Sequence, residues 1–284
     1  MENIDTVRRL LAEQQRPKQE EPVKLRSVII DLTVPAQEKE TPAKKEELPA
    51  PPPVRRKMLA PSVLHPEIPT SECHNFRITD DHLGEGGAKT KFKNNVAAIR
   101  TLQEIEFDNR LATPEEQEIL SRYVGWGGLP QAFDENNEQW ADEFIELYGL
   151  LSPEEYEAAK STTLNAHYTS PTVIKAIYQA VENMGFRTGN ILEPSCGIGN
   201  FFGLVPESLN ESKLFGVELD SITGRIAKQL YPQAHITVDG FERVNFADNR
   251  FDLAVGNVPF GNYQIADARY DKQHFFIHDY FFGK

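Results

Sequence analysis

Two short segments hold residue types able to do chemistry at close quarters. One is Asn257-Val258-Pro259-Phe260, directly after the apolar run from Phe251 to Gly256; the other is the glycine turn from Glu193 through Pro194, Gly197, Gly199 and Asn200 to Phe201. The Asn257 amide oxygen and the Val258 carbonyl, held extended by Pro259, offer two acceptors for the N–H donors of a planar amine. Phe260 adds a stacking face worth roughly 1–3 kcal/mol to a nucleobase. An amine held this way reaches an electrophilic methyl carbon by positioning, and its proton leaves after charge develops on nitrogen, so no strong general base is required. Standing alone, the same tetrapeptide also reads as a turn with a proline stop and a core Phe.

In the glycine turn, Gly197 and Gly199 would let a ligand approach backbone N–H groups between a strand and a helix. The third glycine of a dinucleotide fingerprint is replaced by Phe202, and Glu193 places a carboxylate where a phosphate would be repelled and a sulfonium or amino group welcomed. Glu193 as a solvated strand-end acid is the plainer alternative. Glu218 lies nineteen residues after Gly199, near the offset of a strand-end acid that accepts from ribose hydroxyls. Asp239-Gly240-Phe241 offers an acceptor for an adenine amino group and a ring for its face; a tight Asp-Gly turn with Phe241 in the core fits it almost equally well. Together the strand ends describe a pocket for a cationic, adenosine-bearing ligand, for which S-adenosylmethionine is the natural candidate.

The elements that must position these groups follow from periodicity. Strands are expected at about 190–193, 213–219, 235–238 and 251–256, alternating with helices over Thr172 to Asn183 and Ser221 to Leu230 and one opening near Phe201. Such alternation implies a parallel sheet with helices on its faces and the ligand at the carboxyl ends of the strands. Upstream, Lys93 to Phe107 has helical apolar spacing, and Thr113-Pro114-Glu115-Glu116 and Ser152-Pro153-Glu154-Glu155 are N-cap signatures for two further helices. Between them Gly125-Trp126-Gly127-Gly128 is either a loop presenting Trp126 to a ligand or, more plainly, a tight turn pinned by a buried Trp. Residues 1–70, rich in Gln, Glu, Lys and Pro, read as a disordered tail, with Leu25 to Val34 as an apolar island, a strand or a docking peptide.

The 284-residue chain carries a net charge of −13, and residues 61–284 alone hold 18 basic against 33 acidic side chains. A chain that grips nucleic acid by itself usually shows the opposite balance, so if DNA is the substrate most of the phosphate grip lies elsewhere or in a local patch. Two cysteines, Cys73 and Cys196, exclude a disulfide scaffold, and Cys73, His74 and His65 do not make up a four-ligand metal site, so no metal is expected. With no apolar run long enough to span a membrane and no signal peptide, the expected location is the cytoplasm.

On these residues, the region from about His167 onward resembles a class-I S-adenosylmethionine-dependent N6-adenine DNA methyltransferase of the order in which cofactor motifs precede the catalytic one. The resemblance implies that Tyr168-Thr169-Ser170-Pro171 contacts the methionine end of the cofactor. Glu193, Pro194, Gly197, Gly199, Asn200 and Phe201 match its glycine motif, and Glu218 its ribose acid. Asp239 and Phe241 match its adenine contacts, although Gly240 between them departs from the pattern. Asn257 to Phe260 match its catalytic Asn-Pro-Pro-Tyr/Phe motif, with Val258 in place of the first proline.

Asn94 to Ile99, Tyr123 to Gly128, Asn165 to Thr169 and Gly256 to Gly261 are similar to the methylase portion of very large methylase–helicase proteins of phages and conjugative elements. That likeness implies a helical segment at 75–165, a partial methyltransferase domain at 166–284, DNA with its target base flipped out as partner, and a helicase domain in the same full-length protein. Family members place three further strands after the catalytic motif, so only the first four are expected here. The outer edge of the fourth would then be a template for association, making the polypeptide alone poorly stable or self-associating. Three competing functions are a silent cofactor-binding scaffold for a helicase, methylation of RNA or of a protein glutamine, and a dinucleotide oxidoreductase disfavoured by the missing glycine.

Overall fold

The computed structural model describes residues 63–163 and 168–284; the expected tail up to residue 62, with its Leu25–Val34 island, and His167 lie outside them. The helical segment opens with α1 (Ala88–Phe107), five residues earlier than the apolar spacing implies, burying Phe92, Asn95, Val96, Ile99, Leu102 and Ile105. Helices α2 (Pro114–Leu120) and α4 (Pro153–Ser161) both start in full capping boxes: Thr113 and Ser152 each accept from the N3 amide, and Glu116 and Glu155 reach back to the cap N–H. Between them lies α3 (Ala141–Leu150), which the sequence reading did not isolate.

The second half runs α5 (Pro171–Asn183), β1 (Asn190–Glu193), α6 (Asn200–Gly203), β2 (Lys213–Glu218), α7 (Ser221–Leu230), β3 (His235–Val238), β4 (Leu253–Ala254) and α8 (Ile277–Gly283). All strand pairings are parallel, in the order β3-β2-β1-β4. This is an α/β, Rossmann-like sheet with the four parallel strands expected. Strand order reverses between β1 and β4, and the crevice at their carboxyl ends is where such sheets bind ligands. β4 has only two ladder residues, shorter than the expected 251–256, although Asp252 N–H to Asn190 O and Val255 N–H to Leu192 O extend the pairing.

The helical segment and the sheet share one core. Phe92, Leu102, Trp126 and Leu147 belong to the same apolar cluster as Ile174, Phe201, Ile226 and Tyr231. Full burial of such side chains stabilises by roughly 1.5–3 kcal/mol each. Polar clamps fix the docking: the Gln117 amide donates to the carbonyls of His74 and Gln229, Gln229 accepts from Ala112 N–H, and the Arg225 guanidinium joins Glu106 of α1 to Glu155 of α4. The helices are thereby held over α7, beside the strand ends. No described helix is long and apolar enough to cross a membrane.

Candidate functional site

A cavity of about 280 Å³ opens at the carboxyl ends of the strands. It brings together Tyr168, Thr169, Glu193, Gly197, Asn200, Phe201, Glu218 and the whole Asn257–Phe260 corner. The sheet explains why. β1 pairs with β2 on one side and β4 on the other, with Glu193 opposite Gly216 and Leu192 opposite Ala254, so the glycine turn and the Asn257 corner leave adjacent strand ends. A Cβ on Gly256 would come 3.2 Å from Glu193 Cγ, so the corner folds directly over that acid.

Glu193 is 3% exposed, and its Oε2 and Asn200 Oδ1 have no hydrogen-bond partner among the described residues. Two buried acceptors facing one cavity without donors fit a ligand that brings N–H groups or positive charge. Burial, then the neighbouring Glu218, pushes the Glu193 carboxyl well above its ordinary range. Glu218 has both oxygens engaged: Oε2 accepts from Gly197 N–H and Oε1 from Asp220 N–H, each at 2.8 Å. Lone pairs are left for hydroxyl donors. Burial lifts its pKa to about 7 against those hydrogen bonds.

The glycines act differently from the sequence expectation. Gly197 N–H is engaged by Glu218 and Gly199 N–H by Cys196 O, so these two contribute close approach and turn geometry rather than ligand donors. Gly199, at φ +88°, is the N-cap of α6, and a Cβ there would lie 2.5 Å from the Tyr231 ring; it faces the core, not the cavity. Pro194 is also absent from the lining.

Asp239 and Phe241 are not brought to the site. Asp239 accepts from Gly240 N–H and pairs with Arg243 at 3.1 Å. Phe241 is buried against α8, stacked on Phe281 with centroids 4.9 Å apart and edge-on to Tyr280. The extra Gly240 starts a 3-10 turn, Phe241–Arg243, that takes the ring into this second apolar cluster. Trp126 likewise is core, edge-to-face with Phe92 and Phe133.

Sequence reasoning missed several lining residues: Tyr123, Gly125 and Thr162 from the helical segment, Asp220 and Thr223 at the start of α7, and Tyr263 beyond the corner. Asp220, which caps α7 by accepting from Thr223 N–H, stood in plain view after Glu218; the others are gathered by tertiary packing, which leaves no local pattern. With Asp220 the lining holds three carboxylates and, among the described residues, no Lys, Arg or His, a poor place for phosphate and a good one for a cation. No group of three or more His, Cys, Asp or Glu able to hold a metal occurs among the described residues.

No family model matches the chain. It is 27% identical over 185 residues to the defense against restriction protein B of Escherichia phage P1, covering 63% of the chain and 6% of that protein. It is 28% identical over 102 residues to modification methylase CviBIII of Paramecium bursaria Chlorella virus NC1A, covering 36% of the chain and 27% of the methylase. Type II methyltransferase M.CvrRI of Paramecium bursaria Chlorella virus XZ-6E is 35% identical over 80 residues, 28% of the chain and 21% of that enzyme. The chain thus spans between 6% and 27% of the length of these relatives. A solved structure described as a class I S-adenosylmethionine-dependent methyltransferase of Listeria monocytogenes is 15% identical, with a TM-score of 0.37 over 69% of this chain and 68% of that one, a likeness too distant to bear on chemistry. The resemblance to methyltransferases read from the motifs is thus matched by two sequence relatives that are named a methylase and a methyltransferase.

Proposed function

We propose that this chain is the cofactor-binding and catalytic part of an S-adenosylmethionine-dependent methyltransferase acting on the exocyclic amine of adenine in DNA. The observation that carries the reading is the single cavity shared by the acid-lined glycine turn and the Asn257-Val258-Pro259-Phe260 corner. S-adenosylmethionine fits the residues present: the Glu193 and Asn200 acceptors, without partners among the described residues, suit its ammonium, Glu218 suits its ribose, and three lining carboxylates suit a cation. Bound there, it supplies an electrophilic methyl group on a sulfonium.

The chain's own residues do the positioning. Asn257 Oδ1 and the Val258 carbonyl accept the two amine hydrogens, which turns the nitrogen lone pair toward the cavity floor, and Phe260 stacks on the base. As nitrogen gains positive charge, the Asn257 acceptor strengthens its hold on the N–H until the proton leaves to solvent. A duplex target has to be flipped out, at a cost of a few kcal/mol, to reach this corner. Tyr168 and Thr169 hold the methionine end. Asp239 and Phe241 remain the residues that the family pattern assigns to the cofactor adenine, and a role there requires the Phe241–Arg243 turn to shift.

Within the full-length protein we place this segment, with its helical part at 75–165 and its sheet part at 166–284, in a large cytoplasmic methylase–helicase of a mobile element. The match to a short stretch of a phage protein named for defence against restriction supports that placement. Calorimetric titration with S-adenosylmethionine and transfer of labelled methyl groups to unmethylated DNA, RNA and protein test the reading. Saturable binding and label in DNA adenine are expected; no binding, or label confined to RNA or protein, overturns it.

A further inference from the structure

Asn95 lies in the middle of α1, wholly buried, with no contact to the cavity of its own. Its side-chain amide is used on two consecutive residues of the loop after Tyr123, bracketing the peptide unit between them: Nδ2 donates to Gly125 O at 2.5 Å, and Oδ1 accepts from Val124 N–H at 2.9 Å. The next residue, Trp126, is locked in the core by Phe92, one turn before Asn95 on the same helix, and by Phe133. A third tie, Gly128 N–H to Thr163 O, closes the loop from its far end. The backbone at Gly125 is therefore fixed from both sides, and it forms part of the cavity wall.

Against that backbone lies the Tyr168 ring. A methyl group on Gly125 would sit 3.3 Å from ring atom Cε2, and one on Gly197, in the glycine turn, 3.1 Å from Cε1 on the opposite edge. Both glycines have left-handed φ, +64° and +56°, so neither place accepts a side chain without strain. Tyr168 is thus wedged edge to edge between a loop of the helical segment and the turn whose Gly197 N–H is held by Glu218.

We infer that Asn95 is a positioning residue for the cofactor: by fixing the Gly125 backbone it sets where the Tyr168 ring and the Gly197 turn meet the ligand, so the helical segment is a structural wall of the methyl-donor site rather than an appended domain. The inference rests on the reading of this cavity as a cofactor site. It accounts for a completely buried amide in a helix that otherwise buries apolar groups, and for a glycine at 125 where the packing of Trp126 alone does not demand one.

The test separates positioning from general stability. In the 284-residue chain, Gly125→Ala and Asn95→Asp, which keeps the acceptor for Val124 N–H and loses the donor to Gly125 O, are compared with Gln117→Ala, which loosens the same helices against α7 without touching the loop. Each is measured for S-adenosylmethionine Kd by calorimetry and for melting temperature without ligand. Gly125→Ala and Asn95→Asp are expected to weaken binding by about tenfold. Gln117→Ala is expected to lower the melting temperature while leaving Kd within about twofold. If either loop variant folds and binds as the parent does, or if Gln117→Ala weakens binding as much as they do, the inference fails. Absence of binding by the parent chain would instead remove the functional reading, and this inference with it.

Discussion

The two sides of the cavity are built to different degrees of completion. On the glycine-turn side Glu193, Cys196, Phe201 and Tyr123 are buried, Glu218 has both oxygens engaged, and Tyr168 is wedged between two glycines. On the Asn257 side the strand has two ladder residues, Asn257 is exposed, and Phe260 and Tyr263 are 69% and 52% exposed. One side is shaped before any ligand arrives. The other is open, a contrast that suits the proposed function: pre-organisation where a small cofactor would bind, open aromatic surface where a flipped base would be delivered.

The sharpest way to break that comparison is Asn257→Ala. Removing an acceptor that acts only on the reacting amine is expected to lower methylation about 100- to 1,000-fold. Because the side chain is exposed, S-adenosylmethionine affinity and melting temperature should stay at parent values. Methyl transfer at the parent rate would show that the corner is not where the amine is held. On the opposite side, Gly199→Ala should act through folding. The new Cβ meets the Tyr231 ring at 2.5 Å and the residue sits at φ +88°, so roughly 2–4 kcal/mol of stability should be lost in urea denaturation. An unchanged urea midpoint would mean that the turn is far softer than its packing implies.

These contrasts show what the sequence made legible. The parallel strands, α7 and the capping boxes of α2 and α4 were readable because each has a local physical signature: an apolar run, a 3.6-residue period, or a Ser/Thr-Pro-Glu-Glu cap. α1 began early at Ala88 because its first turn is polar and its N-cap, Gly87, makes no side-chain bond. Within the site, residues of the strand-end turns were found, since a parallel sheet forces its carboxyl ends together. Tyr123, Gly125 and Thr162 were not, because their place at the cavity depends on how the helices dock on α7 through Gln117, Gln229 and Arg225. Phe241 shows the reverse case, a residue picked out by its place at a strand end whose ring a 3-10 turn directs into the core.

Acidity offers a gentler probe of the pre-formed side. Glu218 titrates near 7 in the folded chain against an ordinary 4.5, chiefly from burial. The native state holds this proton longer than the unfolded chain does, so the group's contribution to stability falls as pH climbs from 4.5 towards 7. Binding of a cationic cofactor runs the other way, because it favours the ionised carboxylate. With a pKa near 7, only about a tenth of the chain is ionised there at pH 6 and most of it at pH 8, so S-adenosylmethionine should bind about tenfold more tightly at pH 8. Glu193, raised in the same direction, reinforces the sign. Glu218→Gln should flatten the profile. A Kd independent of pH across this range would place the cation away from these acids.

The smallest effect belongs to the open side. Phe260 is 69% exposed and lines the cavity mouth. Phe260→Ala removes little buried surface, so folding stability should change by no more than about 0.5 kcal/mol, and cofactor affinity should stay within about twofold because none of the cofactor-side contacts involves this ring. What the ring supplies is a face for a base, and a single-sided stack reached by water belongs at the low end of base–aromatic stacking, about 1 kcal/mol. The KM for DNA should therefore rise about fivefold, with less change in turnover at saturating DNA, and Phe260→Tyr or Phe260→Trp should restore it, since either keeps the face. If Phe260→Ala instead lowers the melting temperature as a core truncation would, the ring packs within the fold, and the contrast between a finished cofactor wall and an open substrate mouth no longer holds at the residue where it is most exposed to test.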